Sequence, residues 1–143
     1  MRSLSKFVII AALSGALVAC AQPPAEKTLY DLLGGQPALT AVVDDFIANV
    51  AADPAINKRF AAADIPKLKK LLVEQVCEAA GGPCKYTGRS MKESHKGMDI
   101  TTAEFNAMGG DMLKTLEKLK VPEREKSEVM ALLGSLSKDI VGQ

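Results

Sequence analysis

In Leu39-Thr40-Ala41-Val42-Val43-Asp44-Asp45-Phe46-Ile47-Ala48-Asn49-Val50 the apolar side chains fall at 39, 42, 43, 46, 47 and 50. Steps of three and four set all six on one stripe of an α-helix. Pro37 near its start and Asp53-Pro54 beyond its end bracket that helix. Working toward the C-terminus, Leu68, Leu71, Leu72, Val76 and Ala79 repeat the pattern after Asp64, a suitable N-cap, and the second helix runs out at Gly81-Gly82. Ser90-Met91-Lys92-Glu93 has the form of a capping box, and with Gly97 close behind it predicts a third helix of about two turns. Thr101-Thr102-Ala103-Glu104 opens a fourth, with Phe105, Met108, Met112, Leu116 and Leu119 expected inward and Val121-Pro122 as its stop. A last helix carries Val129, Leu132, Leu133, Leu136 and Ile140. No useful length alternates with period two, so the expected fold class is all-α. An ordinary helical bundle with no ligand accounts for these stripes as well as a ligand-binding domain does.

The chain has 143 residues, 48% hydrophobic and 24% charged, the make-up of one globular domain. Its 18 basic and 17 acidic side chains leave a formal charge of +1, which gives no long-range field for nucleic acid, and no nucleic-acid partner is expected. With one histidine in the whole sequence, a site needing several imidazoles lacks its ligands. A site built on a single imidazole survives.

Toward the N-terminus, Arg2 and Lys6 precede the apolar run Phe7 to Val18, the layout of a secretory signal. The run is shorter than the roughly 20 residues a membrane-spanning helix needs. It ends in Leu17-Val18-Ala19-Cys20, which resembles the bacterial lipoprotein processing site. That resemblance implies a signal peptide over 1–19, a lipid on Cys20, a tether over 20–27 and a folded domain over 28–143, facing the periplasm from a lipid anchor. Ala21 after the cysteine resembles lipoproteins that travel on to the outer membrane; a plain secretory signal is the other reading.

Export matters for Cys77 and Cys84, since an even pair of thiols tends to close in an oxidising compartment. Gly81-Gly82-Pro83 lets the chain double back between them, within the roughly 4.4–6.8 Å that a bridge requires between α-carbons. A reduced pair, with Cys77 buried and Cys84 exposed, stands beside the bridge as the second reading.

Leu29-Tyr30-Asp31-Leu32-Leu33-Gly34-Gly35, Phe60 after the Asp53-Pro54 turn, Gly81-Gly82-Pro83, Tyr86-Thr87-Gly88-Arg89 and Met91-Lys92-Glu93-Ser94-His95-Lys96-Gly97 with Ile100-Thr101 occur in that order. Together they resemble a group 1 truncated haemoglobin, over about Thr28 to Val141. The resemblance implies a two-over-two helical sandwich around haem, with His95 as the proximal iron ligand and Phe60 stacked on the porphyrin. His95 also answers, as the one available imidazole on a short capped helix, to what a haem iron needs. No Cys-x-x-Cys-His is present, so the expected cofactor is non-covalent haem b. Lys58, Arg59, Lys67, Lys69 and Lys70 form a basic cluster that either pairs with haem propionates or is a solvated face.

On the distal side the sequence departs from the family. Many members place there a tyrosine and a glutamine, two hydrogen-bond donors for a dioxygen ligand; those positions are Ile47 and Leu72 here, and Leu68 beside them is apolar too. The expected pocket, lined by Phe46, Ile47, Phe60, Leu68 and Leu72, takes dioxygen, nitric oxide or carbon monoxide without such a donor. Gln75, one turn beyond Leu72, is the polar side chain that can swing toward the ligand, and in a different helix register Lys69 or Lys70 would reach the iron as a sixth ligand. No acid-base pair suited to splitting peroxide is evident, while nitric oxide dioxygenation, which needs mainly haem, oxygen and a reductase, stays open. Electron transfer and haem shuttling are the alternative functions.

Overall fold

A computed structural model describes residues 26–143, so the expected signal peptide, Cys20 and the first part of the tether lie outside the described residues. Helix α1 (Leu29–Leu33) is followed by α2 (Gly35–Ala52), a 3-10 turn over Asn57–Phe60, α3 (Ile65–Ala79), α4 (Met91–His95), α5 (Thr102–Lys118), α6 (Glu123–Ser135) and a second 3-10 turn over Ser137–Asp139. The described residues contain no strand; an isolated parallel bridge pairs Ile100 with Val141.

The stripe on α2 is the spine of the molecule. All six of its apolar side chains are buried, and α2 packs against both α3 and α5, while α5 packs on α6. Two helix pairs are thereby laid together through α2, with Leu39, Val50 and Leu116 sealed almost completely between them. Three of the helix starts are held by the side chains the sequence points to: Asp64 caps α3, and capping boxes close α4 through Ser90 and Glu93 and α5 through Thr101 and Glu104.

Several expectations are corrected. Leu29–Leu33 forms a helix of its own, closed by a capping box of Thr28 and Asp31, and too short to show an apolar period. Gly34 and Gly35 take positive φ of 101° and 73°, a conformation that lets α2 start at once in a new direction. The third helix is a single turn, because Lys96 leaves helical geometry directly after His95. Leu119 is 38% exposed at the α5 C-cap, and Ile140 is buried beyond the end of α6. On α5 the inward face also carries Asp111 and Thr115, both buried. Thr115 accepts a hydrogen bond from Asn49 on α2 at 2.8 Å, and Asp111 accepts one from Lys114 at 3.0 Å through Oδ1.

On α3 the fully buried line is Val73 and Cys77, not the expected Leu68 to Ala79 stripe. Leu68, Leu72 and Val76 form a second apolar line beside it, packed on the core yet half-buried, and Ala79 is exposed. Cys77 and Cys84 are bridged, with α-carbons 5.7 Å apart, which decides between the two readings of the pair. The segment after α3 is drawn back onto that helix. Glu78 accepts from the Tyr86 amide and Lys85, and Glu74 accepts from the Thr87 amide and hydroxyl.

Candidate functional site

His95 ends α4, half-buried, and its Nδ1 lies 2.7 Å from the carbonyl oxygen of Met91 one turn earlier. A carbonyl can only accept, so Nδ1 carries the proton and in the neutral ring Nε2 holds the free lone pair. No hydrogen bond occupies Nε2 among the described residues. The ring is thus oriented by its own helix, and Nε2 is left available.

Two apolar clusters make up the core, and Met91 of this helix packs on the smaller. The larger holds Phe46 and Ile47, 4% and 6% exposed, with Phe60, Leu68 and Leu72 packed against it and half open. The smaller consists of Ile100, Phe105 and Ile140, with Met91 and Met98 on its rim. Met108 and Leu133 pack on both clusters and join them. All five expected pocket residues are therefore gathered in one cluster. Phe46 and Ile47 are its sealed interior, while Phe60, Leu68 and Leu72 are half-buried at its edge.

The segment that follows His95 is held from two directions. The C-terminal tail ties it on one side, where the Asp99 amide donates to Gln143 and the Gly142 amide to Ile100. On the other, Arg59 reaches over from the 3-10 turn that carries Phe60. Its Nη1 donates to the Met98 carbonyl at 2.9 Å, and Nε and Nη2 donate to Glu104 at 2.6 and 3.1 Å. The guanidinium and the Thr101 amide and hydroxyl hold the Glu104 carboxyl down at about 2. The turn that carries Phe60 is thus tied to the segment that follows His95 despite their distance in sequence.

The basic cluster divides. Arg59 pairs with Glu104, Lys69 with Asp44 at 2.8 Å and Lys70 with Glu74 at 3.6 Å, while Lys58 and Lys67 are exposed. The role of Arg59 is missing from the sequence reading. Its partner is 45 residues away, and the capping-box pattern that marks Glu104 points to Thr101 alone. Two open clefts lie elsewhere. One of about 520 Å³ is lined by Thr28, Leu29, Gly81 and Leu132, and one of about 400 Å³ by Phe105, Gly109, Leu113 and Gly134; neither touches His95 or Phe60.

Residues 28–141 match the family model of the bacterial-like globins. The group 1 truncated haemoglobin of Mycolicibacterium paratuberculosis is 34% identical over 113 residues, covering 79% of this chain and 83% of that protein. The one from Synechocystis is 35% identical over 123 residues, covering 82% and 99%. Among solved structures, the Fe(III) form of truncated haemoglobin from Tetrahymena pyriformis superposes with a TM-score of 0.79 at 31% identity, over 82% of this chain and all of that one. Helix order, the paired helical layers and these relatives agree: the chain belongs to the bacterial-like globins, as a group 1 truncated haemoglobin of two-over-two helical fold, a family of haem-based gas binders.

Proposed function

We propose that this globin binds haem b non-covalently, with His95 Nε2 as the iron ligand, and takes small diatomic gases on the opposite side in a pocket bounded by Phe46, Ile47, Phe60, Leu68 and Leu72. The observation that carries this reading is the 2.7 Å hydrogen bond from His95 Nδ1 to Met91, which fixes the ring and keeps Nε2 free for a metal. The donor set fits the group. A neutral imidazole is a proper axial ligand, and the half-open line Leu68, Leu72, Val76 with Phe60 offers a flat apolar cofactor the surface that the protein core leaves uncovered. When bound, the haem supplies an iron with a coordination position for dioxygen, nitric oxide or carbon monoxide.

The chain's own residues set what happens there. Phe60 excludes water, and Ile47 and Leu72 present no hydrogen-bond donor to the ligand, which favours quick release of dioxygen over tight storage. Lys69 and Lys70 are engaged by Asp44 and Glu74, ion pairs that occupy both side chains away from the proposed iron site. Absorption spectra in the ferric, ferrous and carbonmonoxy states test the assignment. A carbonmonoxy Soret band in the native chain, lost or strongly weakened in His95→Ala, is the expected result; equal haem uptake and identical spectra in the variant overturn it.

The placement proposed with it is a lipid anchor on Cys20 at the periplasmic face, with the outer membrane as destination and a reductase as partner. The Cys77–Cys84 bridge supports an oxidising compartment. Labelling with radioactive palmitate, expected in the native chain and absent in Cys20→Ser, tests the anchor.

A further inference from the structure

We infer that Arg59 is a positioning residue for the proximal imidazole: it fixes the segment that follows His95 by clamping the Met98 carbonyl and the start of α5 to the turn that carries Phe60. The inference deepens the haem reading and rests on it for its consequence, while its geometry stands on the chain alone. Helix α4 is five residues long and ends at His95, too short to hold its own shape. Directly behind it the backbone passes through positive φ at Gly97 (75°) and at Asp99 (47°), the second without the freedom of glycine. Such a segment keeps one conformation when its neighbours over-determine it.

The neighbours here are few and specific. The C-terminal tail supplies the two backbone hydrogen bonds at Asp99 and Ile100, and Met98 donates back to the His95 carbonyl at 3.0 Å. From the opposite side comes the Arg59 fork, which uses three of its nitrogens at once: one for the Met98 carbonyl, two for the carboxylate of Glu104. Lysine cannot reproduce this, because an ammonium is a point donor without the planar fork. Glu104 in turn spends its Oε2 on the Thr101 amide and hydroxyl, so the clamp and the start of α5 share one carboxylate. Displacing the guanidinium therefore frees the Met98 carbonyl, three residues beyond the ring, and removes the tie between the two sides of the proposed haem site. The side chains are partly exposed, Arg59 at 36% and Glu104 at 20%, so the effect is modest in energy and local in reach.

The test compares native chain, Arg59→Gln, Arg59→Lys and, as a control for loss of a surface ion pair, Arg124→Gln, whose partner Glu128 lies within α6. Amide hydrogen exchange is followed at Met98 and Asp99 in whatever haem state the chain is isolated, together with the thermal midpoint. Hemin transfer to apomyoglobin and the ferrous iron-imidazole stretching band are then recorded. In Arg59→Gln the expected results are exchange at Met98 and Asp99 about fivefold faster, hemin loss about fivefold faster and a shifted or broadened iron-imidazole band. Arg59→Lys recovers little of this, and Arg124→Gln changes none of it. Native exchange at Met98 and Asp99 in Arg59→Gln overturns the inference, as does a change that only follows a lowered thermal midpoint and appears equally in Arg124→Gln. If the native chain takes up no hemin, the haem reading fails by itself, and exchange at Met98 and Asp99 still decides whether Arg59 holds the segment.

Discussion

At the scale of single residues the proposed haem site depends on what two side chains lack and one offers. His95 offers a free Nε2 because Nδ1 is committed to Met91. Ile47 and Leu72 lack any polar atom, but they are not equivalent: Ile47 is 6% exposed inside the core, whereas Leu72 is half-buried at its edge. A donor is therefore tolerated better at 72 than at 47, where added bulk overpacks the α2 stripe. Leu72→Gln is expected to slow dioxygen release about ten- to a hundredfold, the worth of one charge-assisted hydrogen bond, with carbon monoxide release changed far less. Stopped-flow displacement measures both; unchanged dioxygen release would place residue 72 away from the ligand. The resemblance singled out both positions as departures from the family pattern, but the difference in burial between them was not legible, since both are apolar residues on amphipathic helices.

At the scale of elements, α3 shows what a helical pattern leaves undetermined. Its apolar residues cover a broad arc, and periodicity does not say which edge of that arc meets the neighbouring helix. The structure sinks Val73 and Cys77 and leaves Leu68, Leu72 and Val76 half open. The segment from α3 to α4 has no regular structure of its own and is shaped by its ties to α3: the Cys77–Cys84 bridge and the carboxylates of Glu74 and Glu78. Gly82 is required at this point, because a Cβ there would come within 2.6 Å of the Tyr30 ring and 2.7 Å of the Cys77 sulfur. Replacing both cysteines by serine is expected to lower stability by about 2–3 kcal/mol, the loop-closure value for so short a ring. Urea unfolding of the double variant checks this, and an unchanged midpoint would assign the ordering of the loop to Glu74 and Glu78.

At the scale of the whole molecule, carboxylates fasten the fold, two of them (Glu104 and Asp45) joining elements distant in sequence and two (Glu74 and Glu78) tying α3 to the segment after it. Glu104 is held at about 2 by Arg59 and the Thr101 amide; Glu74 and Glu78 are lowered by the Thr87 hydroxyl and the Tyr86 amide, and Asp45 by Lys118. A carboxyl with a lowered folded-state value contributes stability that is fully present above its ordinary value, 4.5 for the glutamates and 3.8 for Asp45, and is lost as pH falls through the folded value. Thermal midpoints are therefore expected to fall as pH drops from about 4.5 toward about 2, and Glu104→Gln to flatten part of that slope. A midpoint independent of pH across that window would mean these groups are equally paired in the unfolded chain. The sealed junction of the two helix pairs contributes through packing instead. Leu116→Ala, at a position with no exposure, is expected to cost about 2–5 kcal/mol in equilibrium unfolding.

The sequence by itself determined the helices that carry a strong period or a capping pair. The α2 stripe, the Asp64 cap and the boxes at Ser90 and Thr101 are local chemistry, complete within one or two turns. Ordered motifs also sufficed to place the chain in its family and to single out its one histidine. Tertiary structure alone decided which edge of α3 stays open, that the bridge closes and that Arg59 spans to Glu104 and Met98. Each of these depends on where the chain returns in space, which no periodicity along it records.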